Sequence, residues 1–570
     1  MGVTHVVERP FSCHGVYTRT GGPLNEVVLD ARETAAPFLT DTRGASLAYP
    51  ILHGPLRETV TDAVMPPVPA IQHTDVDGVP TRWIDEPGPM VASLVFRVGR
   101  SDEPTPFGGI SHIVEHLTLA RLGIQDYDHN GFVDGHMTVF TSMGRPDEIA
   151  AFMTSVADSM ADLPLDRLLL ERRILREERD QRGPSIGGAL RWYRFGYAGQ
   201  GRGLGPADDE LALEWLGPDH VDAWRARWFT RQNAVLWLTG APPAGLRLTS
   251  LADGPRPTIP TIEPVPGVAF PAHLPWDGPG ATLSMLAPRT SAINIAGNIA
   301  HRRARQRLRF DEGLVYDIQF DYEPVTPTIA HLSLGADCPE ERVPTVLDGL
   351  LATVRELGRD GPSTAELGQE MNAYLRQFED RDGRIGLLAM TAFDALWGAP
   401  THTAEEFAQQ RRAVDGEQAR AAMADALPSL FVLANCPPLD GMTVYPAWST
   451  AGVVAGREFS PSGFHLPGRK PRDRLVVGPD GASFTIGPAE YLTVRYADTV
   501  ACIHEAPDVR RLLARDGTQV VIAAPAWKDG ARAIEAVDAA VPVDLVACDT
   551  HGRGALADPA KPQAGTAGPG

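Results

Sequence analysis

Residues 108–123 read GGISHIVEHLTLARLG, and the five positions His112-Ile113-Val114-Glu115-His116 decide how the rest of the chain is read. Written on a helix, His112 and His116 stand four apart and share a face, so both imidazoles can grip one metal ion. Glu115 follows His112 by three positions and lies on the same side, within reach of a water on that ion. The plain alternative is a helix with two ordinary histidines. A catalytic zinc takes three protein ligands and keeps one position open, so a third ligand must come from elsewhere. Residues 170–181, LERRILREERDQ, supply it. Glu171 and Glu178 are seven apart, nearly two helical turns, and share one face, while Leu170, Ile174 and Leu175 give an apolar side for packing. Glu177 lies about 120° off the Glu171 face and is the rival for the third ligand. Alone, such a charged run reads as a solvated helix face. The pairing with the histidine motif changes that.

Working outward, VDGVPTRWIDEPG (76–88) and MVASLVFRVG (90–99) read as two strands with a turn at Glu86 to Pro89. HMTVFTSMG (136–144) reads as a strand, 147–163 and 166–181 as helices, and RQNAVLWLTG (231–240) as a closing apolar strand. A similar order returns over 280–435: ATLSMLAP, a helix to Leu308, GLVYDIQFDY, TIAHLSLGA, long helices and PSLFVLANC. The pattern predicts two copies of one α+β unit. The domain reading is an N-terminal extension over 1–72, a metal-binding unit over 73–245 and a Pro-rich linker over 246–278. A second, metal-free unit follows over 279–440, then a linker over 441–470. A small β domain over 471–548 closes on a helix from about Asp529, and a Pro/Gly/Ala-rich tail covers 549–570.

The chain has 570 residues and a net charge of −20, which argues against nucleic acid and anionic membrane surfaces as partners. No run of about 18 apolar residues exists, so no membrane span is expected. The five cysteines (Cys13, Cys338, Cys436, Cys502, Cys548) form no CxxC pair, and the first residues show no basic segment followed by an apolar stretch. Both point to a reducing, cytoplasmic setting.

The HxxEH motif followed by ExxxxxxE on a second helix resembles the pitrilysin/insulinase/mitochondrial-processing-peptidase family of zinc peptidases, the inverzincins. The resemblance implies one zinc per chain held by His112, His116 and Glu178, with Glu115 as general base and Glu171 supporting the ligands from behind. The preceding VGRSDEP, the GGISHIVEH start of the helix and FTRQNAVLWLTG all fall where the family has them. NGFV (130–133) resembles the family's Asn-Ala-x-Thr strand, which places Asn130 near substrate, although Gly131 and Val133 stand for its Ala and Thr. LRFDEGLVYDI (308–318) resembles the LRxxxGLxY segment, so Arg309 and Tyr316 match the pair that reaches substrate from the opposing half. The family builds a closed chamber from two halves of two units each, and the resemblance, over about 75–436, covers one half. It therefore implies a half-clamshell that works as a homodimer or with a related chain. From His116 to Glu178 there are 62 positions, against roughly 75 in the family, and the shortfall lies between the metal helix and Asn130.

The expected function is a zinc endopeptidase acting on peptides or unfolded segments. The competing readings are a non-catalytic partner subunit or scaffold of a peptidase complex, and a maturation protease for a genetically encoded peptide. Weaker signals have plainer readings. GQGRGLG (199–205) follows no strand and reads as a loop, and His129 and His136 read as polar loop residues. Trp192 and Trp527 read as packing residues, and the last domain loosely resembles a pleckstrin-homology-like module.

Overall fold

The apolar runs on either side of the histidine motif become neighbouring strands of one sheet. The computed structural model describes residues 65–182, 210–258, 269–275, 279–444, 452–462, 473–485, 491–516 and 518–548. The extension up to residue 64, the tail from 549, Trp192 and the 199–205 loop lie outside the described residues.

Strands β1 (Gln72–Val76), β2 (Val79–Trp83), β3 (Met90–Phe96), β4 (Asp128–Val133), β5 (Thr138–Gly144) and β6 (Ala234–Leu238) form the first sheet, in the order β1-β2-β6-β3-β5-β4. Asp77 and Gly78, both at positive φ, make the two-residue turn between β1 and β2, which matches the twist of a hairpin. The stretch Glu86–Pro89 is not a hairpin turn. β6 lies between β2 and β3, parallel to β2 and antiparallel to β3. Helices α1 (Ile110–Ala120) and α2 (Pro146–Ala161) cover one face, where Leu94, Phe96 and Phe140 meet Ile113, Val114, Leu117, Phe152 and Met153. The other face is covered by the helix Arg381–Trp397 of the second unit, whose Leu388, Phe393 and Trp397 pack on Val95, Val139, Val235 and Trp237. Burial on both faces is why LVF of β3 reads as an unbroken apolar run. Arg384 of that helix grips Glu86 with two hydrogen bonds, 2.8 and 2.7 Å, and ties the units together.

The second sheet contains β7 (Ala272–Pro275), β8 (Ala281–Pro288), β9 (Gln319–Pro324), β10 (Ile329–Ala336), β11 (Phe431–Ala434) and β12 (Thr443–Val444), in the order β12-β7-β11-β8-β10-β9. The run β7-β11-β8-β10-β9 repeats β2-β6-β3-β5-β4 in order and in strand direction. In each copy a helix follows the second strand of the set: α1 after β3, and Ser291–Ala304 after β8. The mixed α/β architecture of two repeated units is therefore present.

A third module has two four-stranded sheets. β13 (Arg457–Phe459), β14 (Leu475–Gly478), β15 (Gly481–Thr485) and β16 (Tyr491–Arg495) form one. β17 (Thr499–Ala506), β18 (Val509–Ala514), β19 (Gln519–Ala523) and β20 (Val546–Cys548) form the other, in the order β19-β18-β17-β20. The helix Gly530–Ala540 closes the core through Ile534 and Val537, beside a buried Trp527. β12 and β13 both fall in the stretch 441–470 read as a linker, and Leu246, Leu248 and Leu251, at the start of the Pro-rich linker, are buried in the first core.

The loop after β3 is fixed from within. Arg97 and Asp102 form a 2.6 Å ion pair with side chains 2% and 0% exposed, and Asp102 also accepts the Gly99 N–H at 2.9 Å. Asp102→Ala leaves the guanidinium buried and uncompensated, and we expect it to cost about 3–5 kcal/mol. Denaturant unfolding monitored for this unit checks it, with the exposed Ile124→Ala expected to stay within about 0.5 kcal/mol.

Candidate metal centre

Helix α1 starts on Gly109, which takes φ 90° and lies against Glu210: a Cβ there would come within 2.9 Å of the Glu210 Cβ. Only glycine satisfies both demands at low cost. The Glu103 carboxylate accepts the N–H groups of Gly109 and Ser111, each at 2.8 Å, and so satisfies the helix start. Burial pushes Glu103 up to about 7, against the pull of those N–H groups. Trp224 donates to the Ser111 hydroxyl at 3.1 Å. With Ile113, Val114 and Leu117 committed to the sheet, the opposite side of α1 carries His112, Glu115 and His116.

The second helix, α3 (Leu168–Arg182), brings Glu178 across from them. Its Oε2 lies 3.4 Å from His116 Nε2 and 3.8 Å from His112 Nε2. One ligand atom from each of these three residues lies within 4.8 Å of the others. An ion with bonds of ~2.1 Å in a tetrahedron holds its ligand atoms about 3.4 Å apart, so the two imidazoles and one carboxylate fit zinc with one position to spare. Glu115 Oε2 is 3.8 Å from each of the two Nε2 atoms. It faces the same centre while its side chain is 4% exposed.

The outward nitrogens are also held. Glu171 Oε2 is 3.5 Å from His116 Nδ1, and its Oε1 accepts two N–H bonds from Arg167 at 3.1 and 2.8 Å. Glu210 Oε1 is 2.9 Å from His112 Nδ1. Sequence reasoning missed Glu210. It sits 98 positions from His112, and no local pattern marks it. The His116 imidazole is desolvated, which lowers its pKa. The Glu178 hydrogen bond and the charges of Glu115, Glu178 and Glu171 outweigh this and raise it to about 9.

The other expected site residues divide. Glu177 is exposed, and it is Glu178 that approaches both imidazoles. Asn130 is exposed on β4, which closes the sheet at that end and pairs with β5. The next residue, Gly131, faces the opposite way, and a Cβ there would collide with the Glu115 carboxylate. The Glu115 side chain thus lies directly against β4 at Gly131. Arg309 and Tyr316 are not brought to the cluster. Arg309 lies 5.2 Å over the Tyr316 ring and 3.1 Å from Asp317, at the π-helical turn Arg305–Asp311, and Tyr316 is 87% exposed. His129 packs on Tyr127 and Phe152. His136 is no surface residue: it is buried between the two units, against Trp397 and 4.0 Å from Glu323.

No family model and no curated protein matches the chain. Solved structures do. A protease from Helicobacter pylori superposes with a TM-score of 0.53 at 15% identity, covering 65% of this chain and 100% of that one. The peptidase M16 inactive domain from Pseudomonas fluorescens gives 0.51 at 15% identity, covering 64% and 97%. The periplasmic protease PqqL from Escherichia coli gives 0.51 at 14% identity, covering 81% of this chain and 56% of that one. The chain therefore has the fold of M16, pitrilysin-type, peptidase domains. That fold is shared by proteases and by a domain described as inactive, so function has to be argued from the site.

The raised His116 pKa has a consequence for the metal-free protein. A folded value of about 9, above the ordinary 6.5, stabilises the fold fully below pH 6.5 and stops doing so as pH rises through about 9. Melting curves of wild type and His116→Ala in a chelating buffer should show the wild-type advantage shrinking from pH 6.5 to 9. A constant advantage would contradict the charge arrangement.

Proposed function

We propose that the chain is a zinc-dependent endopeptidase that cleaves peptides or unfolded segments. The observation that carries this reading is Glu115 Oε2, equidistant at 3.8 Å from both imidazole nitrogens of a cluster whose third member is Glu178. His112, His116 and Glu178 would hold the zinc, which supplies a Lewis acid for the scissile carbonyl and a bound water of lowered pKa. Glu115 takes the proton from the attacking water and later delivers it to the leaving amine. Its near-complete burial keeps bulk water from competing for that proton. Glu171 and Arg167 hold the His116 ring in place from behind. The outer edge of β4 offers backbone groups to an extended peptide, with Asn130 beside it, so a substrate adds as a further strand. Folded proteins, whose backbone is already paired, are poor substrates for such a site.

The chain carries two units, and it spans 56% of PqqL. This supports a working molecule of two chains, either identical or related. Half-buried Arg309, stacked on the exposed Tyr316, would then serve the site of the other subunit. Exposed Leu169 and Ile174 on α3 give that association apolar surface.

Glu115→Gln should keep the metal and lose peptide hydrolysis by about 10²–10⁴-fold. A peptide-library digest read by mass spectrometry, alongside metal analysis, checks this. Retained cleavage would remove Glu115 from the mechanism. Mixing Glu115→Gln with Arg309→Ala chains should restore activity that each lacks alone. If the mixture stays as inactive as its components, sites are not shared between subunits.

A further inference from the structure

We infer that Glu210 is a positioning residue: it holds the His112 imidazole in the tautomer and orientation that a metal requires. The inference rests on the metal-centre reading above and deepens it. A neutral imidazole ligand offers one lone pair and must donate its other N–H. Glu210 Oε1, 2.9 Å from His112 Nδ1, takes that N–H and leaves the Nε2 lone pair turned toward Glu178 and the cluster. Without this partner, the competing arrangement places the proton on Nε2, where Glu115 Oε2 at 3.8 Å would draw it. A ring fixed that way cannot bind a metal.

The carboxylate is held from several directions. Its side chain is 1% exposed, and Arg100 approaches the same oxygen at 3.7 Å. The Ala212 N–H donates to Gly108 O at 2.9 Å, and the Trp215 indole N–H donates to Pro106 O at 2.9 Å, so the segment after Glu210 is bonded to the start of α1. Arg172 on α3 donates to Leu213 O and Leu216 O at 2.6 and 3.1 Å. Arg176 and Arg179, also on α3, each meet Glu214 at 3.2 Å. Leu211 is packed among Val500, Ala501, Ile503, Leu513 and Ala547 of the third module. One short segment thus links α1, the helix carrying Glu178 and the C-terminal module, and Glu210 is its end nearest the site.

Two variants of the full chain separate orientation from charge. Glu210→Asp keeps the charge but withdraws the carboxylate by one methylene, whereas Glu210→Gln keeps the reach and an accepting oxygen without the charge. Zinc affinity is read by competition with a chromophoric chelator, and ligand geometry by the visible spectrum of the cobalt(II)-loaded protein. We expect Glu210→Asp to weaken zinc binding by about 10–100-fold and to alter the cobalt bands, and Glu210→Gln to recover most of both. Wild-type affinity and spectrum in a folded Glu210→Asp protein would overturn the inference. So would a greater loss in Glu210→Gln than in Glu210→Asp, since charge rather than placement would then be at work. If wild type itself takes up neither zinc nor cobalt, the metal-centre reading fails and the role of Glu210 falls with it.

Discussion

Helix α1 has to satisfy two demands with one short stretch of chain. One side must bury Ile113, Val114 and Leu117 against the sheet, and the other must present two imidazoles and a carboxylate to a common point. His112 is buried and His116 only partly exposed, so little water reaches the ring nitrogens and each is met by protein partners. The partners are carboxylates: Glu171 and Glu210 behind, and Glu115 and Glu178 in front. This concentration of negative charge is costly in a metal-free protein. It is partly offset by a proton on His116, by Arg167 on Glu171 and by Arg100 near Glu210. A divalent cation would neutralise the same charge where it is densest.

The duplication shows what the motif adds to the scaffold. Both units share a strand order and a helix after the second strand of the set, yet the helix Ser291–Ala304 reads SAINIAGNIAHRRA and carries no acidic residue. Its Gly297 lies against Phe320 and Leu332, so close packing on the sheet serves where α1 serves chemistry. The second unit instead contributes structure to the first. Its helix Arg381–Trp397 fills the free face of the first sheet, and Arg384 anchors on Glu86.

The third module is similarly indirect. None of its described residues belongs to the histidine cluster, but it packs on β7 and β11 of the second sheet and on Leu211. Leu211 follows Glu210 directly. A domain without site residues can therefore bear on the site through the backbone segment it clamps.

Much of the arrangement was legible in the sequence. The five-residue motif and the seven-residue spacing of Glu171 and Glu178 are local, and helical geometry alone places the side chains of each on a common face. The two-copy organisation followed from the recurring order of apolar runs. Three features were decided only by tertiary packing. β6 inserts between β2 and β3, so the Glu86–Pro89 stretch connects strands that are not neighbours. Gly131 leaves room for the Glu115 side chain, which lies where a Cβ would stand. Glu210 reaches His112 across 98 positions. The physical reason is range: periodicity reports which residues share a face within a turn or two, whereas contacts between distant segments depend on how whole elements pack, and no local pattern encodes that.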